Sequence, residues 1–159
     1  MKNVIYLLLS IALLSAFVSC KKKDDSSNDT TPPAATPNPY FTAKINGVPY
    51  TATSLGGGRA GGLLTITGQT SDTSIVLQGN FVAATTYQLS TSYSNGFNTG
   101  IHSLGTTIQY WLVSGQIIFS KFDMTNLRVS GTFNFTGHNS TYGNAVVTEG
   151  KFNDVLLTQ

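Results

Sequence analysis

"NLRVSGTFNFT", residues 126–136, carries the clearest structural signal in the chain, because apolar and polar side chains alternate along it without interruption. One set of alternate positions holds Leu127, Val129, Gly131, Phe133 and Phe135, and the other set is charged or polar. A period of two puts each set on one face of a β-strand, whereas a helix would scatter both sets around its circumference. Gly131 among the apolar positions predicts a bulge, or an aromatic ring lying over the backbone.

Similar alternation occurs on both sides of this strand. It appears in residues 63–68, 74–81, 107–113 and 144–149, whereas 116–122 is apolar on both faces and predicts a central strand or one with a bulge. No helical period follows the N-terminal region. Turn signals separate these short segments throughout. We therefore predict an all-β fold over residues 40–159, an antiparallel β-sandwich or barrel of about eight or nine strands.

"YFTAKINGVPYTATS", residues 40–54, predicts a β-hairpin. Asn46 and Gly47 are the residue types that adopt the two positive-φ positions of a type I′ turn. Such a turn fixes the register and places the paired residues on one face, with Ile45 opposite Val48, Ala43 opposite Tyr50, and Phe41 opposite Ala52. Pro49 lacks a backbone donor, so the second strand should lie at a sheet edge.

The composition limits the classes of partner. Only 10% of residues are charged, whereas 40% are hydrophobic and 11% aromatic, which favours a folded domain over disorder. Within residues 40–159 the basic and acidic side chains nearly balance: Lys44, Arg59, Lys121, Arg128 and Lys151 against Asp72, Asp123, Glu149 and Asp154. Without a basic stripe to displace counterions, nucleic acid is not an expected partner.

The N-terminus predicts export from the cytoplasm. "VIYLLLSIALLSAFV", residues 4–18, follows a lysine and is almost entirely apolar. About 15 residues at a 1.5 Å rise reach about 22 Å, less than a ~30 Å hydrocarbon core requires. A short apolar segment after a positive charge is typical of a signal peptide, here residues 1–19.

"FVSC", residues 17–20, resembles a bacterial lipobox, although Phe17 stands where leucine is usual. The resemblance implies cleavage between Ser19 and Cys20, a diacylglycerol on the Cys20 sulfur and acylation of the new N-terminus. Several acyl chains hold a protein on a bilayer where one would dissociate. Cys20 is the only cysteine in the chain, so the folded domain would enter an oxidising compartment without a thiol.

A tether follows the cysteine. Residues 20–39 contain four of the five prolines together with serine, threonine, asparagine and aspartate, a composition typical of a disordered linker. The stretch 23–25, Lys-Asp-Asp, is similar to the signal that sends Bacteroidota lipoproteins to the cell surface. Asp29-Thr30-Thr31 resembles their short O-glycosylation motif, with Thr30 as acceptor. We expect a lipid anchor in the outer membrane, with the domain on the cell surface or facing the periplasm.

Three blocks of the mature chain resemble small Bacteroidota lipoproteins of unknown function. They are "FTAKINGVPYTA" (residues 41–52), "RVSGTFNFT" (128–136) and "VVTEGKFNDV" (146–155). The resemblance implies a β-rich lipoprotein and brings no activity with it.

Catalytic patterns are sparse in the domain. His102 and His138 both lie in stretches typical of loops, and their spacings do not match a zinc site. Asp123, Glu149 and Asp154 are the carboxylates that could act as acid and base beside a histidine. The sequence therefore predicts no metal and no cofactor, and a hydrolase with a carboxylate–histidine site stays an alternative.

Two other stretches invite a ligand. "GGGRAGG", residues 56–62, surrounds Arg59 with glycines, but it lacks the Lys-Ser/Thr ending and the helix of a phosphate loop, so we predict a flexible connection. Residues 89–105 form a long predicted loop that contains Tyr93, Phe97 and Asn98. Aromatic faces beside amides suit sugar rings.

Trp111 adds a further aromatic ring to these candidates. It falls on the same strand face as Gln109, where the pattern favours cover by a second layer over exposure. If Trp111 is exposed instead, it joins Tyr93, Phe97 and Asn98 as a predicted ligand-binding residue. The favoured hypothesis is a non-enzymatic binding or accessory module for a glycan or an envelope protein, and a small β-barrel carrying an apolar ligand is a further alternative.

Overall fold

The structure, a computed structural model, describes residues 38–90, 100–103 and 108–159. These residues form ten strands and no helix, which confirms the all-β antiparallel prediction. The strands are β1 (Tyr40–Ile45), β2 (Val48–Thr51), β3 (Ser54–Ala60), β4 (Leu63–Gln69), β5 (Thr73–Gly79), β6 (Thr86–Ser90), β7 (Gly100–Ser103), β8 (Gln109–Asp123), β9 (Arg128–Asn139) and β10 (Gly143–Leu156). The predicted signal peptide, the tether, Cys20 and Thr30 lie outside the described residues.

All ten strands belong to one antiparallel sheet in the order β2-β1-β10-β9-β8-β7-β5-β4-β3, with β6 paired to β8. Strand β8 is long enough, at 15 residues, to pair with β7 near its start and with β6 further along. The sheet curls on itself. Its β3 end therefore meets the chain after β10, where the Arg59 amide donates to the Thr158 carbonyl at 2.8 Å and the Thr158 amide donates to the Gly57 carbonyl at 3.0 Å.

The predicted hairpin is present. Asn46 and Gly47 have φ values of 51° and 82°, and Ile45 pairs with Val48 as the two-residue turn requires. The shared face is buried at its inner end and open at the turn, where Val48 is 66% exposed. Strand β2 is also the edge strand that Pro49 predicts.

The concave side of the sheet is filled with aromatic rings. Phe41 is fully buried, with its ring centroid 5.0 Å from that of Phe133 and 6.4 Å from that of Tyr50. The Tyr50 hydroxyl donates to the Gly68 carbonyl at 2.6 Å, which ties the β2 end of the sheet to β4. Burial raises the pKa of Tyr50 to about 12, so this hydroxyl remains a donor at physiological pH.

A second ring cluster centres on Phe119 of β8. Its centroid lies 5.0 Å from that of Phe81 and 5.5 Å from that of Phe152. A side chain at Gly131 would meet the Phe152 ring at 2.6 Å and would also press on the Ile118 carbonyl. The prediction of an aromatic ring over the Gly131 backbone is therefore confirmed, and so is the burial of the alternate positions Val129, Phe133 and Phe135.

The prediction for residues 56–62 is wrong in part. Gly56 to Ala60 belong to β3, and only Gly61 and Gly62 form the turn into β4. The physical reason is close approach: a side chain at Gly57 would press on the Leu156 carbonyl of the crossing chain. Gly57 therefore allows the two backbones to approach closely.

Bulges allow the long strands to follow the curl. The pairing of β8 with β9 shifts between Leu112 and Ser114 and again between Phe119 and Lys121. Strand β10 shifts twice against β9, and there Glu149 and Asp154 adopt left-handed φ values of 52° and 50°. The prediction that residues 116–122 form a central or bulged strand is confirmed on both counts.

Candidate functional site

The convex side of β8, β9, β10, β1 and β2 carries many polar side chains, and we call it the outer face. The alternation that turns aromatic rings inward turns hydroxyl, amide and ammonium groups outward. The strand register places one row of outward-facing residues across five strands. The row begins at the apolar Ile118 and continues through the polar Thr132, Lys151, Thr42 and Thr51. A second row pairs Gln116 with Asn134. Side chains of directly paired residues lie about 5 Å apart on the same face, so the two rows form a continuous surface.

The polar groups at the centre of the outer face have no partner within the part of the chain that the structure describes. This holds for the amides of Gln116 and Asn134, the hydroxyl of Thr132 and the ammonium of Lys151. Groups already bound to one another would have to break those bonds before they could bind a ligand.

A depression of about 210 Å³ lies among these residues. Gln116, Thr132, Asn134, Glu149 and Lys151 line it, and the half-buried Ile118 adds an apolar side chain. It lies where β10 bulges at Glu149 and its register against β9 shifts between Val147 and Gly150. A neighbouring depression of about 220 Å³ reaches Thr42 and Thr51 and shares the Glu149 and Lys151 walls.

The charges around the two depressions are unequal. The Lys44 ammonium lies 2.7 Å from the Glu149 carboxylate, and the two side chains are 40% and 64% exposed. Such a surface pair contributes little to stability, but it neutralises both charges locally. Lys151 has no carboxylate within ion-pair distance among the described residues. Lys44, Glu149 and Lys151 together therefore carry one positive charge.

Trp111 lies on the same outer face, further along β8. It pairs with His138, which in turn pairs with Asn144, so the three residues form a row across β8, β9 and β10. The Trp111 side chain is 49% exposed. His138 Nδ1 lies 2.7 Å from Asn144 Oδ1, which holds the imidazole ring in place beside the indole.

The expectation that a second layer covers Trp111 is wrong. Leu112 points into the core at 8% exposure, so its neighbour Trp111 points to the convex side. The sheet curls toward its aromatic core, and the indole lies on the opposite, convex side. Five residues at about 3.3 Å each separate Trp111 from Gln116, or roughly 15 Å along β8 once the bulge is allowed for.

The structure describes only part of the predicted loop 89–105 and of its candidate site residues. Tyr93, Phe97 and Asn98 lie outside the described residues. The long loop predicted for 89–105 is wrong at both ends, because residues 89 and 90 complete β6 and residues 100–103 form β7. The loop assignments of both histidines are also wrong. His102 belongs to β7 and His138 to β9, and the polar, glycine-containing sequence around each one concealed its strand.

The three candidate carboxylates each have a structural role of their own. Asp123 accepts hydrogen bonds from the side-chain and backbone nitrogens of Asn126 at 2.8 and 2.9 Å and closes the turn between β8 and β9. The bond from the Asn126 side chain, followed by that from its backbone, lowers the pKa of Asp123. Glu149 binds Lys44, and Asp154 is buried between Lys121 and Arg128. No group of three or more metal-ligating side chains occurs within the described ranges.

The residues at the centre of the outer face were not singled out from the sequence. Asn134 occupies a polar position of a strand that the sequence predicts, so its outward direction was visible. Gln116 begins a stretch that is apolar on both faces, and Lys151 lies beyond the alternating segment 144–149. What the sequence did not contain was the neighbour of each strand, because β1 pairs with β10 across about a hundred residues of chain.

Within residues 38–90, 100–103 and 108–159, no helix has the length and apolar character to cross a membrane. No curated protein and no solved structure matches the chain. One family model does match, over residues 37–156, and its description is a domain of unknown function, DUF6252. The match spans every described strand from β1 to β10. The chain belongs to the DUF6252 family.

Proposed function

We propose that this protein is a membrane-anchored envelope lipoprotein whose β-domain is a non-enzymatic binding module, and that its ligand is a glycan bound on the outer face. The observation that carries the proposal is the half-exposed Trp111 ring, which shares the outer face with amide and hydroxyl groups that have no partner among the described residues. A sugar offers an apolar ring face and several hydroxyls. The outer face has an aromatic ring to contact the apolar sugar face and polar groups to bind the hydroxyls.

The chemistry favours saccharide over an apolar ligand. An indole ring presents a broad apolar surface at low entropic cost, because it has only two rotatable side-chain bonds. The amides of Gln116 and Asn134 each supply donors and an acceptor, so they match hydroxyls of either orientation. An apolar ligand would leave these groups desolvated and unpaired, which is unfavourable.

The roles of the carboxylates support binding over hydrolysis. A glycoside hydrolase needs two carboxyl groups facing each other across one bond. Here Asp123 closes a turn, and its lowered pKa makes it a poor proton donor near neutral pH. Glu149 and Asp154 lie five residues apart on β10, and each is held by its own cation.

Replacement of Trp111 with alanine tests the proposed site. The full-length protein, solubilised with its anchor, is applied to an array of neutral and acidic oligosaccharides. We expect binding by the wild type and a loss of about tenfold in affinity for Trp111→Ala, since stacking on an aromatic ring contributes about 1–1.5 kcal/mol. Tyr142→Ala is the matched control, because Tyr142 is also exposed, at 59%, but lies in the β9–β10 turn.

Equal loss in the Trp111→Ala and Tyr142→Ala variants would contradict the proposed site, and so would an array without any bound sugar. Thermal unfolding of both variants controls for stability. An exposed ring contributes little to the core, so the melting temperatures should stay near that of the wild type.

Replacement of Cys20 with serine tests the anchor. We expect the wild type to sediment with membranes and to incorporate a labelled fatty acid, and Cys20→Ser to lose both properties, because serine has no thiolate for the lipid transfer. Ser19→Ala keeps a small residue before the cysteine and is the matched control. If the serine variant still sedimented with membranes and was labelled, the anchoring proposal would be wrong.

A further inference from the structure

We infer that the depression beside Lys151 binds a carboxylate-bearing sugar, so that the glycan ligand is acidic. The inference rests on the proposed glycan-binding function and names the class of saccharide.

The first reason is charge. Lys151 is exposed on β10, and its neighbours in the row are the neutral Thr132 and Thr42. The nearby Lys44 forms an ion pair with Glu149, with its Nζ atom 2.7 Å from the Glu149 Oε1 atom. Lys44, Glu149 and Lys151 therefore sum to one positive charge. Among the described residues, Lys151 is the member of this group that has no carboxylate within ion-pair distance.

The second reason is the set of donors. Gln116 and Asn134 are directly paired across β8 and β9, and both line the same depression as Lys151 and Thr132. An ammonium with two amide donors and a hydroxyl suits a carboxylate, because hydrogen bonds to an ionised acceptor are shorter and stronger than neutral ones. The half-buried Ile118 gives the depression an apolar surface for the sugar ring.

The third reason is size. The volume of about 210 Å³ lies below the roughly 300–1,000 Å³ of pockets that enclose drug-sized ligands. It suits one sugar unit whose chain continues across the open surface. In this arrangement the outer face leads from the depression toward Trp111, so one oligosaccharide can contact both.

Glu149 makes the charge dependence testable in both directions. Its carboxylate lines the depression, where the Lys44 contact holds and partly neutralises it. Glu149→Gln removes a repulsive charge and releases Lys44, so it should strengthen binding of an acidic sugar. Lys151→Gln should weaken the same binding, whereas Lys151→Arg retains the cation.

The experiment uses short oligomers of galacturonate and of glucuronate, each beside its own methyl ester, with the full-length protein and the three variants. The ester has the same rings without the charge. We expect wild type to prefer each acid over its ester, Lys151→Gln to lose about tenfold in affinity for the acids, Lys151→Arg to stay within about twofold of wild type, and Glu149→Gln to gain about twofold or more. Added salt should weaken binding of the acids alone.

The outcomes separate the two proposals. Equal binding of acids and esters, or an unchanged affinity for the acids in Lys151→Gln, would overturn the acidic-sugar inference and leave the glycan module standing. Loss of acid and ester binding alike in Lys151→Gln would also overturn it. Absence of binding to every oligomer, on top of an array without any bound sugar, would overturn both.

Discussion

Phe41→Ala is expected to lower the free energy of unfolding by about 3–5 kcal/mol, the usual cost of truncating a buried phenylalanine. Phe41 is fully buried, and its ring centroid lies 5.0 Å from that of Phe133. The ring also occupies the space above Gly68, where any added side chain would meet it at once. Truncation would therefore leave a cavity between β1, β9 and β4 that the rigid strands cannot close.

Urea denaturation of the domain measures this loss. Tyr40→Ala is the matched control, because Tyr40 is the preceding residue of β1 and is 45% exposed. A small domain has only about 5–15 kcal/mol of stability, so Phe41→Leu is included as a milder variant with a smaller expected loss. Comparable losses in Tyr40→Ala and in both Phe41 variants would contradict the assigned role of this ring.

Asp154→Ala is expected to cost about 2–4 kcal/mol, because Asp154 combines a buried charge with an unusual backbone conformation. Its carboxylate accepts from Arg128 at 2.9 Å and from Lys121 at 3.3 Å, and its amide donates to the Ser130 hydroxyl at 2.9 Å. The expected cost is less than for a fully buried pair, because both cations reach solvent. The left-handed φ of 50° adds about 1 kcal/mol for alanine.

Two further variants separate these contributions. Asp154→Asn removes the charge but tolerates the left-handed backbone and keeps an acceptor, so it should be the least destabilised. Asp154→Gly removes the whole side chain and relieves the strain, so it should be more stable than alanine by about 1 kcal/mol. Urea unfolding ranks the three. If alanine were as stable as asparagine, the left-handed backbone and the side-chain acceptor would not matter, and if asparagine were as stable as wild type, the ion pairs would not.

Sequence reasoning was most successful where the pattern is local. The Asn46-Gly47 turn sets its own register through two positive φ angles, and the strand around Gly131 carries its alternation within a dozen residues. In both cases the information sits inside one hairpin or one strand. The burial of Phe41 and Tyr50 follows from it directly.

The sequence interpretation failed where a distant part of the chain decides the outcome. Gly57 resembles a loop residue in composition, yet it lies in a strand because the Leu156 carbonyl crosses above it. Trp111 was expected under a second layer, and nothing local revealed that the sheet would curl away from it. The depression beside Lys151 depends on the same kind of information, since its walls come from β8, β9 and β10.

The two strands that end the sheet bear on how this protein behaves at high local concentration. Exposed strand edges are templates for fibril growth, and natural proteins blunt them. Here the β3 edge is occupied at Gly57 and Arg59 by main-chain bonds to Thr158, and the β2 edge is four residues long and carries Pro49. Crowded copies of the domain thus meet at edges that are poor at recruiting a neighbour's backbone, which favours a dispersed protein over a polymerised one.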